Sequence, residues 1–243
     1  MRSRALALAA ATWLGTSGAG FAATVDARDY DAFWLWAGVR PQPEMAKAKV
    51  LYVLQGEVVA SSPPRLVAQG GATPALRRGE LWLVYRVQTL AWTPLIYAQV
   101  AAHLRRWRAA GNPVVGVQID FDARTRRLGA YAAFLADLKS RLPPDCKLGV
   151  TGLLDWSSQG DPAGLKALTG VVDELVLQTY QGRRTIPGYG AWLARLDRLG
   201  APFRIGLVQG GEWTPPESLA RDPDFRGYVV FLRNPTGPTE QTP

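Results

Sequence analysis

Val114-Val115-Gly116-Val117-Gln118-Ile119-Asp120-Phe121-Asp122 is an apolar run that ends in two carboxylates. Its continuous hydrophobicity reads as a strand buried on both faces, the kind found in parallel sheets covered by helices. Side chains at i and i+2 of a strand share a face, so Gln118, Asp120 and Asp122 are predicted to line up on one side. Two carboxylates on one face repel each other, and burying unpaired charge is costly. Acid–base chemistry on a sugar uses such an arrangement.

Similar apolar runs recur along the chain. They are Ala32–Ala37, Val50–Leu54, Leu81–Val87, Val114–Ile119, Lys147–Leu153, Glu174–Thr179, Arg204–Val208 and Gly227–Leu232. Helical patterns separate the later ones, at Pro94–Ala110, Leu128–Arg141, Pro162–Thr169 and Tyr189–Leu199. Alternation of buried strands with helices implies an α/β fold, and eight such units imply a small (β/α)8 (TIM) barrel. Only a short Pro-containing stretch joins the first two strands, and Pro63-Pro64 and Gly70-Gly71 interrupt the next connection. The first two βα units are therefore expected to be irregular. An open doubly wound sheet is the competing fold, but no Gly-rich phosphate loop follows the first strand.

In such a barrel, sites form where strands end. The strand ends here turn polar: Gln55 and Glu57, Arg86 and Gln88, then Gln118, Asp120 and Asp122. Asp155-Trp156, Gln178 and Tyr180, Gln209 with Glu212-Trp213, and Arg233 follow. Trp36, Trp92, Trp156 and Trp213 fall near the same rim. Amides, carboxylates and guanidinium groups beside indoles suit polyol recognition, the polar groups bonding hydroxyls while rings stack on a sugar's apolar face. Packing between helix and barrel is the competing role for each indole.

The amino terminus has its own logic. Arg2 and Arg4 precede the apolar run Ala5–Leu14 and the mostly small residues Gly18–Ala23. That order reads as a signal peptide over residues 1–23, cut after Ala22 or Ala23, and places the chain in the periplasm or outside the cell. The barrel then occupies residues 24–233, with residues 234–243 as a loose tail. Losing two arginines and no acids lowers the formal charge from +8 to +6. No transmembrane segment is expected after cleavage. Nucleic acid is a poor partner for an exported chain despite the basic balance, and a monomer is expected. Cys146 is the only cysteine and His103 the only histidine, so no Cys/His metal cluster can be built. No metal and no cofactor are expected.

The strand carrying the carboxylates resembles the fourth strand of family-18 glycoside hydrolases, the chitinase-like barrels, which reads Asp-Gly-x-Asp-x-Asp-Trp-Glu. Aligned on Val115–Asp122, Asp120 falls on the last aspartate, which orients the substrate's N-acetyl group. Asp122 falls on the glutamate that protonates the leaving oxygen. Tyr180, in Gln178-Thr179-Tyr180-Gln181, falls on the tyrosine of that family's Met-x-Tyr-Asp. Val115 and Gln118 replace the two earlier aspartates, Phe121 the tryptophan, and the eighth strand lacks the usual tryptophan. The chain also looks like an uncharacterised bacterial family of secreted barrels sharing the Phe33–Trp36 opening, Gln-Ile-Asp-Phe-Asp and Thr-Tyr-Gln.

The resemblance implies a glycoside hydrolase-like protein acting on an envelope or extracellular glycan. Asp122 is its general acid/base, with Asp120 and Tyr180 as catalytic partners. Glu57, Arg86, Gln118, Asp155, Trp156, Gln178, Gln209 and Trp213 are the candidate substrate-binding residues. Glu57, Asp155 and Glu212 are candidates for a second carboxylate, which a substrate-assisted mechanism does not need. An aspartate in place of glutamate sets the proton back by about 1–1.5 Å, which disfavours transfer unless the sugar lies deeper. The alternative is a carbohydrate-binding barrel without catalysis. If both carboxyls are shielded from water, one should keep its proton, and the strand order predicts that this is Asp122, with Asp120 ionised. The competing arrangement pairs Asp120 with Arg86.

Overall fold

The computed structural model describes residues 22–70, 79–123, 127–156, 161–196 and 199–234. Eight strands form the frame: β1 (Ala32–Leu35), β2 (Val50–Val59), β3 (Glu80–Val87), β4 (Val114–Asp120), β5 (Lys147–Leu153), β6 (Glu174–Gln178), β7 (Phe203–Val208) and β8 (Phe225–Phe231). Each pairs in parallel with its neighbour in sequence. β8 pairs in parallel with β1, through Val230↔Phe33 and Phe231↔Trp34, so the sheet closes. The open doubly wound alternative is thereby excluded.

Among the described residues four helices cover the later strands: α1 (Pro94–Ala109), α2 (Leu128–Arg141), α3 (Pro162–Thr169) and α4 (Tyr189–Leu193). Proline occupies the first turn of α1 and α3, where its missing N–H costs nothing. Asp161 caps α3 by accepting from the backbone N–H of Ala163 and Gly164. α4 stops at Leu193, short of the predicted Leu199. Leu193, Leu196 and Leu199 are all buried, and a spacing of three matches a tighter turn than the α-helix. The bonds Arg195 N–H→Trp192 O and Leu199 N–H→Leu196 O are of that i→i−3 kind.

The first two units are irregular, as the prolines and glycines predict. A 3₁₀ turn over Pro43–Lys47 joins β1 to β2. After β2 a short strand, Arg65–Ala68, folds back antiparallel on Gly56–Val59. Among the described residues neither connection holds an α-helix. At Gly56 a Cβ would stand 2.6 Å from the carbonyl oxygen of Val67, so the crossing needs glycine.

The barrel interior is filled by rings rather than by small layers of aliphatics. Trp34, Tyr52 and Trp82 are buried inside with Val84, Val176 and Val229. Their room comes from glycines across the barrel. A Cβ on Gly116 would lie 2.4 Å from the Trp82 ring, and one on Gly206 would lie 2.7 Å from the Trp34 ring. Near the amino-terminal ends of the strands, Glu174 accepts from Tyr52 Oη and from Arg204 Nε at 2.9 Å. The same arginine donates to the Arg226 carbonyl at 2.6 Å, so this buried charge is hydrogen-bonded as well as paired. Outside the barrel, α1 presents Ile96, Val100, Leu104 and Trp107 at helical spacing. His103 lies on the same helix, stacked on Tyr85 and within 3.1 Å of its hydroxyl. Burial pushes its proton affinity down, consistent with a packing role.

At the chain ends, Ala23–Thr24 pairs antiparallel with Glu212–Trp213. Residues 1–21, most of the expected signal segment, lie outside the described residues, as do residues 235–243 of the expected tail. Asn234 is tied down, its side chain donating to Gly38 O and accepting from Arg40 N–H, each at 2.8 Å. Among the described residues no helix is long and apolar enough to cross a membrane.

Closure over the indoles makes a direct prediction. Gly116→Ala should lower unfolding stability by roughly 1–3 kcal/mol, the range for overpacking a filled core. Gly129→Ala, on α2 with nothing near its added methyl, should instead gain about 0.4–1 kcal/mol. Chemical denaturation of both variants checks the pair. Equal effects would mean that the Trp82 contact does not constrain the barrel.

Candidate functional site

The carboxyl-terminal mouth of the barrel holds a cavity of about 530 Å³. Each wall traces to a strand end. Trp34 and Trp36 come from β1 and its extension, Arg86 from β3, Asp120 and Asp122 from β4, Leu153 from β5, Gln178 from β6 and Phe231 from β8. A tight hairpin after β6, Tyr180–Gln181 against Arg184–Thr185, completes it with Tyr180, Gln181, Gly182 and the following Ile186. Gly182 takes φ +59°, a conformation that favours glycine, and so lets the hairpin turn back over the mouth. Thr185 Oγ1 anchors the hairpin by donating to Glu212 O at 2.5 Å.

The two aspartates have different surroundings. Asp120 is the last residue of β4 and is 8% exposed. Thr151 on β5 donates to its Oδ1 at 2.7 Å. Burial pushes the Asp120 carboxyl above its ordinary range; Thr151 and the Arg86 charge pull it back, while Asp122 and Glu57 push it further up. Asp122 lies beyond the strand and is exposed at the cavity wall. The burial expected to hold a proton on Asp122 thus falls on Asp120 instead, because the strand carries position 120 into the closed barrel and ends there. Tyr180 lines the same cavity, and burial together with the charge of Asp120 pushes its hydroxyl well above the usual phenol range.

Beneath the cavity, Gln118 is fully buried. The Trp34 indole N–H donates to Gln118 Oε1 at 2.8 Å, which fixes the orientation of the amide. Its Nε2 has no partner among the described residues. Gln118 therefore supports the floor and carries an unspent donor, without forming part of the wall.

The remaining candidates separate. Arg86 and Gln178 line the cavity. Glu57 does not; it accepts from Gln69 and Gln88 at 3.0 and 2.8 Å and faces Arg86 Nε at 3.8 Å. The competing pairing of Asp120 with Arg86 is replaced by this contact. Gln209 exchanges hydrogen bonds with Gln42 and accepts from Arg233 N–H, which ties loops together outside the cavity. Trp156 is enclosed against Tyr131, its indole N–H donating to Ala123 O at 3.1 Å. Trp213 is buried in a stack on Tyr189 with ring centroids 4.7 Å apart. Trp92 packs on Phe134 and Tyr97 in the helix layer. Asp155 and Glu212 also lie off the cavity wall. Of the four rim tryptophans only Trp36 reaches the cavity.

Trp34, Phe231, Leu153, Gln181 and Ile186 were not among the sequence-derived candidates. The signal for the first was available, because Ala32, Trp34 and Trp36 follow the same alternation that aligned the β4 carboxylates. The hairpin residues carry no comparable pattern, since a tertiary turn brings them over the mouth.

Residues 88–196 of the chain match a domain of unknown function, DUF3142. No curated protein matches the sequence. Among solved structures, the xylanase-α-amylase inhibitor protein XAIP-I in complex with trehalose is 12% identical, with a TM-score of 0.54, covering 82% of this chain and 92% of that one. The Bacillus cereus spore cortex-lytic enzyme SleL is 17% identical, with a TM-score of 0.49, covering 73% of this chain and 49% of that one. The chitinase domain of the Clostridium difficile spore coat protein CotE is 13% identical, with a TM-score of 0.48, covering 79% and 67%. The chain spans about half the length of SleL. At 12% identity the likeness to XAIP-I is one of fold alone, a closed TIM-like barrel.

Asp120 gives the site a pH signature. Its proton affinity is raised in the folded state, so its stabilising contribution is complete below the unfolded carboxylate pKa and is lost as pH rises through the higher folded value. Asp120→Asn keeps an acceptor for Thr151 and cannot ionise. The variant should therefore gain stability relative to wild type as pH rises above about 4, the ordinary carboxylate value. Urea denaturation of both proteins from acid to neutral pH tests this. A constant difference across that range would show that Asp120 ionises in the folded protein as it does in the unfolded chain.

Proposed function

We propose that the chain is a glycoside hydrolase-like protein acting on an envelope or extracellular glycan, with Asp122 as general acid/base. One observation carries the reading: a single cavity at the barrel mouth brings Asp120, Asp122 and Tyr180 together with the aromatic faces of Trp36 and Phe231. Rings that stack on a sugar beside carboxylates that hydrogen-bond its hydroxyls are the equipment of a glycan site. Asp122, at the open wall, is the carboxyl within reach of a leaving oxygen. Asp120, buried beneath it, is held above its ordinary range chiefly by burial, and the Asp122 charge adds to that push. Glu57, Asp155 and Glu212 lie off the wall, so a nucleophile supplied by the sugar's own acetamido group is the mechanism these residues leave room for.

The same absence from the wall supports a second reading. A barrel that binds carbohydrate without cleaving it needs the rings and amides but no second carboxylate, and Asp122 stands exposed rather than enclosed. Incubating wild type and Asp122→Asn with a glycan panel, while scoring both binding and release of reducing ends, separates the two. The enzyme reading expects turnover that falls by about 10²–10⁴-fold in Asp122→Asn, the usual worth of a general acid. Binding without turnover in both proteins establishes the second reading instead.

We also propose export, with the mature chain beginning near Ala23 or Thr24. The pairing of Ala23–Thr24 with Glu212–Trp213 supports keeping these residues in the mature chain. Amino-terminal sequencing of protein from the cell envelope should read one of these residues first. Recovery of cytoplasmic protein that retains Met1 would refute it.

A further inference from the structure

Among the described residues Arg86 is the cation in the cavity wall, and its hydrogen-bonding capacity is unspent. It sits near the end of β3 between two acids, facing Glu57 on β2 and Asp120 on β4 in the strand register. Neither neighbour binds it closely. Glu57 lies 3.8 Å from Arg86 Nε, beyond hydrogen-bond range, and its two oxygens already accept from Gln69 and Gln88. Asp120 takes its hydrogen bond from Thr151, and no ion pair joins it to Arg86 among the described residues. The Arg86 side chain is half exposed. A buried structural arginine in this protein looks different: Arg204 is largely enclosed, bonded to Glu174 at 2.9 Å and to a carbonyl at 2.6 Å. Across the mouth, the hairpin that supplies Gln181 and Gly182 continues into Arg183 and Arg184, both exposed.

A planar guanidinium with free donors matches a carboxylate bidentately, which neither an amide nor a lysine reproduces. We infer that Arg86 reads a carboxylate on the bound glycan, so that the preferred ligand of this cavity is an acidic sugar rather than a neutral one. The inference rests on the carbohydrate reading of the site and adds to it a substrate class and a residue that selects it.

Isothermal titration can test the charge and identify its source. One arm uses an oligogalacturonate, which carries the carboxylate on the ring, against its methyl ester. A second uses a disaccharide containing N-acetylmuramic acid, which carries it on a lactyl ether, against its methyl ester. A neutral chito-oligosaccharide is the third ligand. Wild type should prefer the acid over its ester by about 10- to 100-fold in one arm, the range for hydrogen bonds to a charged group; that arm names the source. In Arg86→Gln the ratio should fall to near one, and Arg86→Lys should recover part of it, since the charge returns without the fork. Thermal melts of both variants establish that they fold. Equal binding of acid and ester by wild type overturns the inference, and so does an acid preference that survives Arg86→Gln. If the chito-oligosaccharide binds in either of those cases, the carbohydrate reading stands without this refinement. If no glycan binds wild type, the carbohydrate reading falls and takes the inference with it.

Discussion

The Trp34 indole N–H, bonded to Gln118 Oε1 at 2.8 Å across the barrel, links the core of this protein to its candidate site. An indole in a closed barrel must satisfy its one donor or lose a hydrogen bond. Gln118 supplies the acceptor from the strand that ends in Asp120, so the packing of β1 fixes the amide directly below the cavity. The family-18 motif places a carboxylate at the Gln118 position. With an amide there, and its Nε2 unspent, the floor beneath Asp120 offers a neutral donor where a second negative charge would have raised the cost of burying Asp120 further.

The two ends of the barrel treat buried charge in opposite ways. Near the amino-terminal ends, Glu174 is matched by Arg204 and Tyr52, so its charge is compensated within the protein. At the mouth, Asp120 is buried with one hydroxyl donor, the Arg86 charge nearby and two neighbouring acids, and burial still holds its carboxyl above the ordinary range. A paired buried charge stabilises a frame, whereas an uncompensated one is a group held ready for a proton or a ligand.

The segment described between β2 and β3 also shapes the site. The hairpin Gly56–Val59 with Arg65–Ala68 stands over the β1–β2 edge and carries Gln69, which occupies one oxygen of Glu57. Gln88, just after β3, occupies the other. Glu57 thus faces Arg86 at 3.8 Å with both oxygens already accepting hydrogen bonds, and the guanidinium keeps its donors for the cavity.

Eight apolar runs with polar ends determined the closed barrel, because parallel strands buried on both faces leave a continuous hydrophobic signature and the later helices carry their own spacing. The same period-2 alternation placed Asp120, Asp122 and Gln178 at one mouth. The sequence even marked the irregular first units, through prolines and glycines that forbid regular helices. Tertiary structure alone decided which side of each strand end a residue serves. Trp156 and Trp213 follow strands five and seven as the motif reading requires, yet both are enclosed in packing, since an indole past a strand end turns to whichever apolar surface neighbouring elements provide. The depth of the two aspartates was likewise undetermined by spacing. Sequence gives their common face, but only the point where β4 ends inside the closed barrel buries Asp120 and exposes Asp122, because burial depends on what surrounds a position and not on the order of residues along the strand.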